Sequence, residues 1–332
     1  MVLPPVKASA GQPGLVNAEF IFESAPFPEC HASTIAETQE GLVAAWFGGK
    51  YEKSPDVGIW LSRQRNGQWT TPVEVANGLQ SGGRRYPCWN PVLYQSKAGP
   101  LLLFFKIGPN PETWWGMLMT STNCGASWPK PQRLPPDIIG PVKNKPVLLP
   151  NGDLLCGSST ETGHWVVHFE RTTDLGKSWQ IVGTLAHTNG IEAIQPSLLL
   201  HPGGWIQAIG RTKQGRIFES WSQDNGRTWS PITLTQLPNP NSGTDAVTLR
   251  DGRQLLVYNH SNKGRSPLNL AVSVDGKTWQ SGLTLEDDEG KEFSYPAVIQ
   301  TADGLIHVVY TWQRQRIKHA VIDPVAMELK PI

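Results

Sequence analysis

Five tryptophans set the frame of this sequence: Trp69, Trp128, Trp179, Trp229 and Trp279 lie 59, 51, 50 and 50 residues apart. A period near 50 residues means a chain that repeats one supersecondary unit rather than folding around a single irregular core. Four of these tryptophans close a related stretch, namely Ser121–Trp128, Thr172–Trp179, Ser222–Trp229 and a shortened Ser273–Trp279, and Ser62–Trp69 is a weaker copy. The pattern S-x-D-x-G-x-T/S-W has a physical logic. The Asp or Asn side chain accepts turn N–H groups, Gly takes a left-handed backbone, and Trp plugs the turn against a sheet. These stretches read as architecture, not as substrate contacts.

A second phrase, apolar run, Gly turn, apolar run, recurs at 34–45, 91–104, 148–156, 199–208, 248–257 and 298–309. Each reads as a strand–turn–strand hairpin that continues into a third strand leading to a tryptophan turn. Six hairpins predict six blades of four strands, an all-β, six-bladed β-propeller. The last hairpin runs into 316–323 and stops without a tryptophan turn, and an unassigned strand at 18–23 precedes the first. Pairing the two lets the amino-terminal strand complete blade six, which closes the ring and removes an exposed edge. No linker divides residues 1–332, so the chain reads as one domain with its propeller core at about 18–323.

Composition enters mainly by exclusion. With 33 Gly and 28 Pro the chain is too rich in helix breakers for a helical bundle. The 29 Lys+Arg balance 28 Asp+Glu to a formal +1, with no basic tail, so nucleic acid is not an expected partner. The amino terminus lacks the apolar core of a signal peptide, and no segment approaches membrane-spanning length. A soluble, cytoplasmic monomer without a membrane partner is expected. Cys30, Cys88, Cys124 and Cys156 lack metal-ligand spacing, so neither metal nor cofactor is expected. Cys30 and Cys88 fall at equivalent places in successive repeats, as free buried thiols or as a close pair.

In a propeller the innermost strands line the axis, and residues just before their apolar runs face a pocket at one end. In chain order these are Cys30-His31, Trp89-Asn90, Asn144-Lys145, Gln195, Thr244-Asp245 and Tyr295. A purely structural filling would carry Ala, Val or Ser at several of these places, so the set favours a polar ligand. The ends of the second strands and the loops after them add Asp56, Lys106, Arg211, Asn259, His260, Arg265, Tyr310 and Trp312. Trp89 and Trp312 would offer indole faces to a sugar at the mouth.

On these residues, and over nearly its whole length, the chain resembles the sialidase (neuraminidase) superfamily, specifically the Asp-box or BNR-repeat six-bladed propellers. The resemblance implies that Arg211 and Arg265 are two of the three arginines that grip a sugar carboxylate, a task suited to the planar guanidinium fork. It also implies that Tyr295 is the nucleophile and Asp56 the acid/base. Plain readings stand beside these: solvated loop arginines, an inner-strand packing residue and a turn cap. The chain departs from the family pattern at two places. His31 stands where an Arg-Ile-Pro phrase supplies the first arginine, and Gln195-Pro196 replaces the glutamate that assists the tyrosine, although Glu192 lies three residues earlier. An amide cannot act as a base.

His31 and Asp245 are therefore expected to shape or replace parts of the catalytic set. Arg85, in Arg84-Arg85-Tyr86, is a source for the missing cation or a surface loop residue. Lys145, Gln195, Asn259, His260, Trp89, Tyr310 and Trp312 complete the expected substrate contacts. The expected function is a sialidase-type glycoside hydrolase whose partner is a glycan bearing a terminal acidic sugar. The alternatives are a polysaccharide lyase or atypical glycosidase acting on a uronate-containing glycan, with His31 and Tyr295 moving protons, and a carbohydrate-binding propeller without catalysis.

Overall fold

Apolar runs broken at Gly turns become 26 strands, with no α-helix among the described residues, 11–97, 99–185 and 190–332 of a computed structural model. The chain opens with β1 (Leu15–Phe20) and then lays down blade one as β2 (Glu29–Thr38), β3 (Gly41–Gly49), β4 (Gly58–Arg65), β5 (Gln68–Trp69) and β6 (Val73–Ala76). Blade two holds β7 (Cys88–Gln95), β8 (Leu101–Ile107), β9 (Trp115–Ser121) and β10 (Gln132–Arg133). Blade three holds β11 (Val147–Leu148), β12 (Leu154–Thr160), β13 (Val166–Thr172) and β14 (Gln180–Thr184). Blade four is β15 (Ala193–Leu200), β16 (Ile206–Thr212), β17 (Arg216–Ser222) and β18 (Thr233–Pro238). Blade five is β19 (Asp245–Thr248), β20 (Gln254–Tyr258), β21 (Leu268–Ser273) and β22 (Gln280–Glu286), and blade six is β23 (Phe293–Gln300), β24 (Ile306–Trp312) and β25 (Arg316–Ile322).

The ring closes as expected. β1 pairs antiparallel with β25, setting Glu19 opposite His319 and Ala18 opposite Ala320. Glu19 then reaches across to blade one, accepting from Trp69 Nε1 at 3.1 Å and Gln64 Nε2 at 3.3 Å, while His319 Nδ1 lies 3.3 Å from the same carboxylate. Behind it His319 bonds His307 at 2.9 Å, so a buried polar chain ties first strand to last blade. One strand was not anticipated: β26 (Lys330–Pro331) extends the outer edge of blade five by pairing with β22.

The tryptophan turns behave as local chemistry dictates. Asp224 Oδ1 accepts the backbone N–H groups of Arg227 at 3.0 Å and Thr228 at 2.8 Å, and Gly226 sits at φ 78°. A Cβ on Gly226 would come within 2.7 Å of Leu155, so glycine serves both the left-handed turn and close packing on blade three. The indoles are wedges between blades: Trp229 stacks on Phe169 at 3.9 Å, Trp179 meets Phe104 edge-on at 6.0 Å, and Trp69 meets His319 at 5.3 Å. In each case the partner belongs to the preceding blade around the ring.

Blade three departs from the pattern because β11 has only two residues. The Pro-rich stretch before it is held instead by buried Glu170, which accepts from Ile139 N at 2.9 Å and Gly140 N at 2.7 Å. Lys106 donates to Pro141 O beside it, and burial brings this ammonium down to about 7. All four cysteines are free, and burial raises the thiols of Cys30, Cys88 and Cys156. Among the described residues no helix is long and apolar enough to cross a membrane, and no group of three His, Cys, Asp or Glu could hold a metal ion.

Candidate active site

The inner strands deliver their side chains to the axis through a repeated backbone irregularity. The ladder shifts register between His31 and Thr34, Trp89 and Val92, Ile194 and Ser197, and Ser294 and Ala297. Inside these bulges Ala32, Asn90, Gln195 and Tyr295 take φ of 56°, 37°, 56° and 51°. Left-handed backbone at a non-glycine residue costs free energy and persists where the surroundings over-determine it, commonly at functional sites. The bulge takes these residues out of the strand's strict alternation.

Blade three performs the same step with Lys143, at φ 77°. Sequence reading placed Asn144-Lys145 there, as the residues just before the apolar run. The residue with the left-handed backbone is Lys143, just before that pair. Lys143 Nζ donates to Thr244 O and Pro296 O, both at 2.7 Å, and to Asn144 Oδ1 at 2.8 Å, tying blades three, five and six together. Burial brings its ammonium down to about 7, with Asp245 opposing the shift. Gly243 is needed beside it, since a Cβ there would lie 2.8 Å from Lys143 Cε and 3.1 Å from Tyr295 Cδ2.

Asp245 belongs to the same hub. Its carboxylate receives Lys145 Nζ at 2.8 Å, Ser197 Oγ at 2.9 Å, its neighbour Ala246 N at 2.9 Å and Val298 N at 2.9 Å. Lys145 also donates to Ala246 O at 2.9 Å, and Asn144 Nδ2 donates to Gln195 O at 2.9 Å. The two members of the Lys145–Asp245 pair thus lock blades three, four, five and six, and Asp245 has no free lone pair facing the channel.

Above the hub, Tyr295 and His31 lie ring against ring, centroids 4.2 Å apart and tilted 46°. His31 is fixed by Thr311 Oγ1 at 3.0 Å from Nδ1. Burial, and then the charges of Arg314, Arg265, Arg211 and Lys143, hold this imidazole well below its usual pKa, so it is neutral. The Tyr295 ring has the Arg211 guanidinium at 5.5 Å, that of Arg265 at 5.6 Å and the Lys143 ammonium at 5.7 Å. Its hydroxyl makes no hydrogen bond among the described residues. Gln195 presents a buried Oε1 that is likewise without a partner.

The arginines differ in their pairing. Arg265 Nη1 lies 2.8 Å from Glu292 Oε1. Arg314, which sequence reading did not single out, shares Glu292 through Nε at 3.1 Å and also pairs with Glu52. It reaches the site from the tight β24–β25 turn, where Gln313 and Arg314 both have positive φ, and no sequence signal separates it from Arg316 two residues on. Arg316 instead covers the Phe20 ring at 3.6 Å and pairs with Glu23. Arg211 is 7% exposed and forms no ion pair among the described residues. Its one hydrogen bond runs to Asn241 O at 3.3 Å, its Nε is unpartnered, and its guanidinium lies 5.3 Å from the Trp165 ring.

Other expected residues sit apart from this cluster. Asp56 is exposed and caps its own loop, accepting from Lys50 N at 3.0 Å and from Ser54 Oγ. Arg85 bridges Asp56 O at 2.9 Å and Glu74 at 3.3 Å, a loop contact and not a clamp on the Tyr295 side. Trp89 is corrected from the mouth to the interior: it is 2% exposed, with Nε1 on Gly108 O at 2.8 Å. Tyr310 is buried with its hydroxyl on Glu286 at 2.7 Å, and Trp312 packs on Phe20 at 5.3 Å, so neither offers a face to a sugar. Asn259 is fully buried and holds Pro267 O and Phe293 O at 2.9 Å, while half-buried His260 contacts the Tyr258 hydroxyl. Glu192 is taken by Lys213 and by His164 at 2.8 Å, and those partners bring its carboxyl down to about 2.

The charges acting at the mouth divide around the ring. Glu52, Glu112 and Glu161 come from the loops of blades one, two and three, whereas Arg211 with Lys213, Arg265 and Arg314 come from blades four, five and six. Glu292 and Glu192 neutralise part of the positive charge on blades four to six, through Arg265, Arg314 and Lys213, and leave Arg211 without an ion pair among the described residues. An anion entering here is drawn to one half.

The BNR repeat-like domain profile matches residues 40–308. No curated protein sequence matches. Among solved structures, a Dyadobacter fermentans protein of unknown function superposes with a TM-score of 0.78 at 18% identity, over 93% of this chain and 98% of that one. The Hadza microbial sialidase Hz136 gives 0.78 at 16% identity over 94% of this chain and 69% of that one. The intramolecular trans-sialidase of Ruminococcus gnavus gives 0.75 at 13%, over 97% and 100%. At such identities the likeness shows the fold, a sialidase-like six-bladed propeller.

Proposed function

This chain belongs to the BNR repeat-like domain family, and from that premise we propose that it is a sialidase-type glycosidase that removes a terminal acidic sugar from a glycan. The observation that carries this reading is Arg211, a buried guanidinium without an ion-pair partner among the described residues. A buried charge left uncompensated costs several kcal/mol, on the order of 3–5, and a ligand carboxylate meeting the guanidinium fork would offset that cost. The Arg211 guanidinium lies 5.5 Å from the Tyr295 ring and that of Arg265 5.6 Å, so a carboxylate drawn to Arg211 would bring its sugar to the phenol. Arg314, although paired, adds positive potential beside His31, which stands where the family's first arginine would be.

Tyr295 is the nucleophile in this reading. A neutral phenol approaches an anionic sugar without charge repulsion. No carboxylate touches its hydroxyl, and Gln195 cannot take its proton. Neutral His31 is the base in ring contact with Tyr295; burial and four cations oppose its protonation, so in this reading it accepts the phenolic proton once the sugar carboxylate offsets those charges. The same pairing favours a second reading, β-elimination from a uronate, in which His31 and Tyr295 remove the α-proton and protonate the leaving oxygen while arginine holds the carboxylate.

A fluorogenic sialoside assay run beside an absorbance assay for unsaturated uronates separates the two. Release of fluorophore, abolished in Tyr295→Phe, is the expected result. Absorbance from an unsaturated product would replace hydrolysis by elimination, and full activity in Tyr295→Phe would remove the tyrosine from its role. Binding of acidic glycans without turnover in either assay would leave a carbohydrate-binding propeller.

A further inference from the structure

Retaining cleavage of a glycoside needs a proton for the departing oxygen as well as a nucleophile. The family resemblance assigns that task to Asp56, yet this carboxylate is exposed and satisfied by the turn that carries it. Of the other carboxylates near the mouth, Glu112 is exposed and the rest are engaged. Glu52 pairs with Arg314, and Glu292 holds Arg265 and Arg314. Glu192 is held by Lys213 and His164, and Asp245 is saturated in the hub.

Glu161 is the exception. It opens the β12–β13 loop, directly after Thr160, on the same end of the ring as the Arg211 strand end and the Arg314 turn. It is half-buried and has neither hydrogen bond nor ion pair among the described residues. Its loop is not loose: Thr162 Oγ1 donates to Glu112 O at 2.9 Å, and Trp165 is covered by Arg211 at 5.3 Å and Lys213 at 4.7 Å. Arg211 therefore links the two sides of the pocket, 5.3 Å from the Trp165 ring and 5.5 Å from the Tyr295 ring.

We propose that Glu161 is the general acid/base of this site, protonating the glycosidic oxygen of a sugar whose carboxylate lies on the arginine half of the mouth. The proposal rests on the glycosidase reading above. In the first step the Glu161 carboxyl proton passes to the glycosidic oxygen as its bond to the anomeric carbon breaks. The bond from Tyr295 Oη forms, and the phenolic proton moves to His31. In the second step the Glu161 carboxylate takes a proton from water, the water oxygen displaces Tyr295, and His31 returns its proton to the phenol. The surroundings fit a proton donor: burial raises the Glu161 carboxyl, Glu112 and Glu52 add to that, and Arg211 and Lys213 oppose it without cancelling it. The leaving group then extends over blades one to three.

The test is leaving-group dependence in Glu161→Gln. An aryl sialoside departs with little protonic help, whereas a sugar leaving group needs the acid. We expect kcat/KM to fall about 10²–10⁴-fold on a sialyl disaccharide and less than about 10-fold on the aryl sialoside. The alkaline limb of the wild-type pH profile, where the acid loses its proton, should vanish. Equal losses on both substrates, or a loss confined to the disaccharide in Asp56→Asn instead, would overturn the assignment. An unchanged melting temperature shows that the variant is folded. A ¹³C-carboxyl NMR titration reports on Glu161 without turnover, and a value at or below that of an ordinary Glu would also reject it. Wild-type silence on both sialosides would defeat the sialidase reading alone, and the titration would then decide Glu161.

Discussion

Two buried cations flank the same tyrosine and are treated in opposite ways. Lys143 lies 5.7 Å from the Tyr295 ring with all three of its protons on protein acceptors. Arg211 lies 5.5 Å from that ring with one long bond and an unpartnered Nε. A guanidinium offers five donors in a fixed fork, so most of the hydrogen-bonding capacity of Arg211 is unmet by protein. The contrast separates frame from site. The hub of Lys143, Lys145 and Asp245 is closed on itself and holds the blades at one radius, while the mouth above it carries charge that the fold alone does not satisfy.

The hub should break first and hardest. Asp245→Ala removes the acceptor of Lys145, Ser197 and Val298 N and leaves a buried ammonium behind, which should lower stability by about 3–5 kcal/mol. A urea midpoint that hardly moves would refute its place in the frame. Arg211→Gln should do the reverse. Activity on an acidic sugar should drop about 10²–10³-fold, while the melting temperature stays level or rises, because an unpaired buried charge is removed. A large loss of stability would put Arg211 in the frame with Lys143.

The smallest effect concerns the ring closure, which resembles the hub in being satisfied but is held by titrating groups. Burial and then the neighbouring His319 depress His307 from 6.5 to about 4. Between those values the unfolded chain binds a proton that the native ring refuses, so stability falls as pH drops from roughly 6.5 to 4, by on the order of 1–3 kcal/mol. Glu19, lowered chiefly by its bond to His319, adds stability that is complete above its unfolded value and is lost as pH falls through its lower folded one. Both slopes have the same sign. Denaturation midpoints between pH 7 and 4, compared with His307→Gln, check this, and an unchanged slope in the variant would exclude His307.

The turns were legible because their bonds are local. Asp174, Asp224 and Asp275 cap residues three or four ahead or fewer, and each glycine and tryptophan is set within the same stretch. The closing strand was legible because an unpaired edge at one end and a spare strand at the other have one economical solution. The site was less so. His31, Arg211 and Arg265 lie around Tyr295, and the residue pattern names all four, but Lys143, Arg314 and Glu161 were passed over. Lys143 was hidden because it precedes the pair next to the apolar run, Arg314 by a short turn, and Glu161 by a loop with no motif.

Alone, then, the sequence determined the number of blades, the period, the wedge tryptophans and the polar character of the axis, since each depends on residues close along the chain. Which charges are satisfied and which are not was decided only in the tertiary structure. That balance depends on side chains from six blades, such as Lys143 with Thr244 and Pro296, converging across separations of 101 and 153 residues. A one-residue bulge in any inner strand changes which of them arrive.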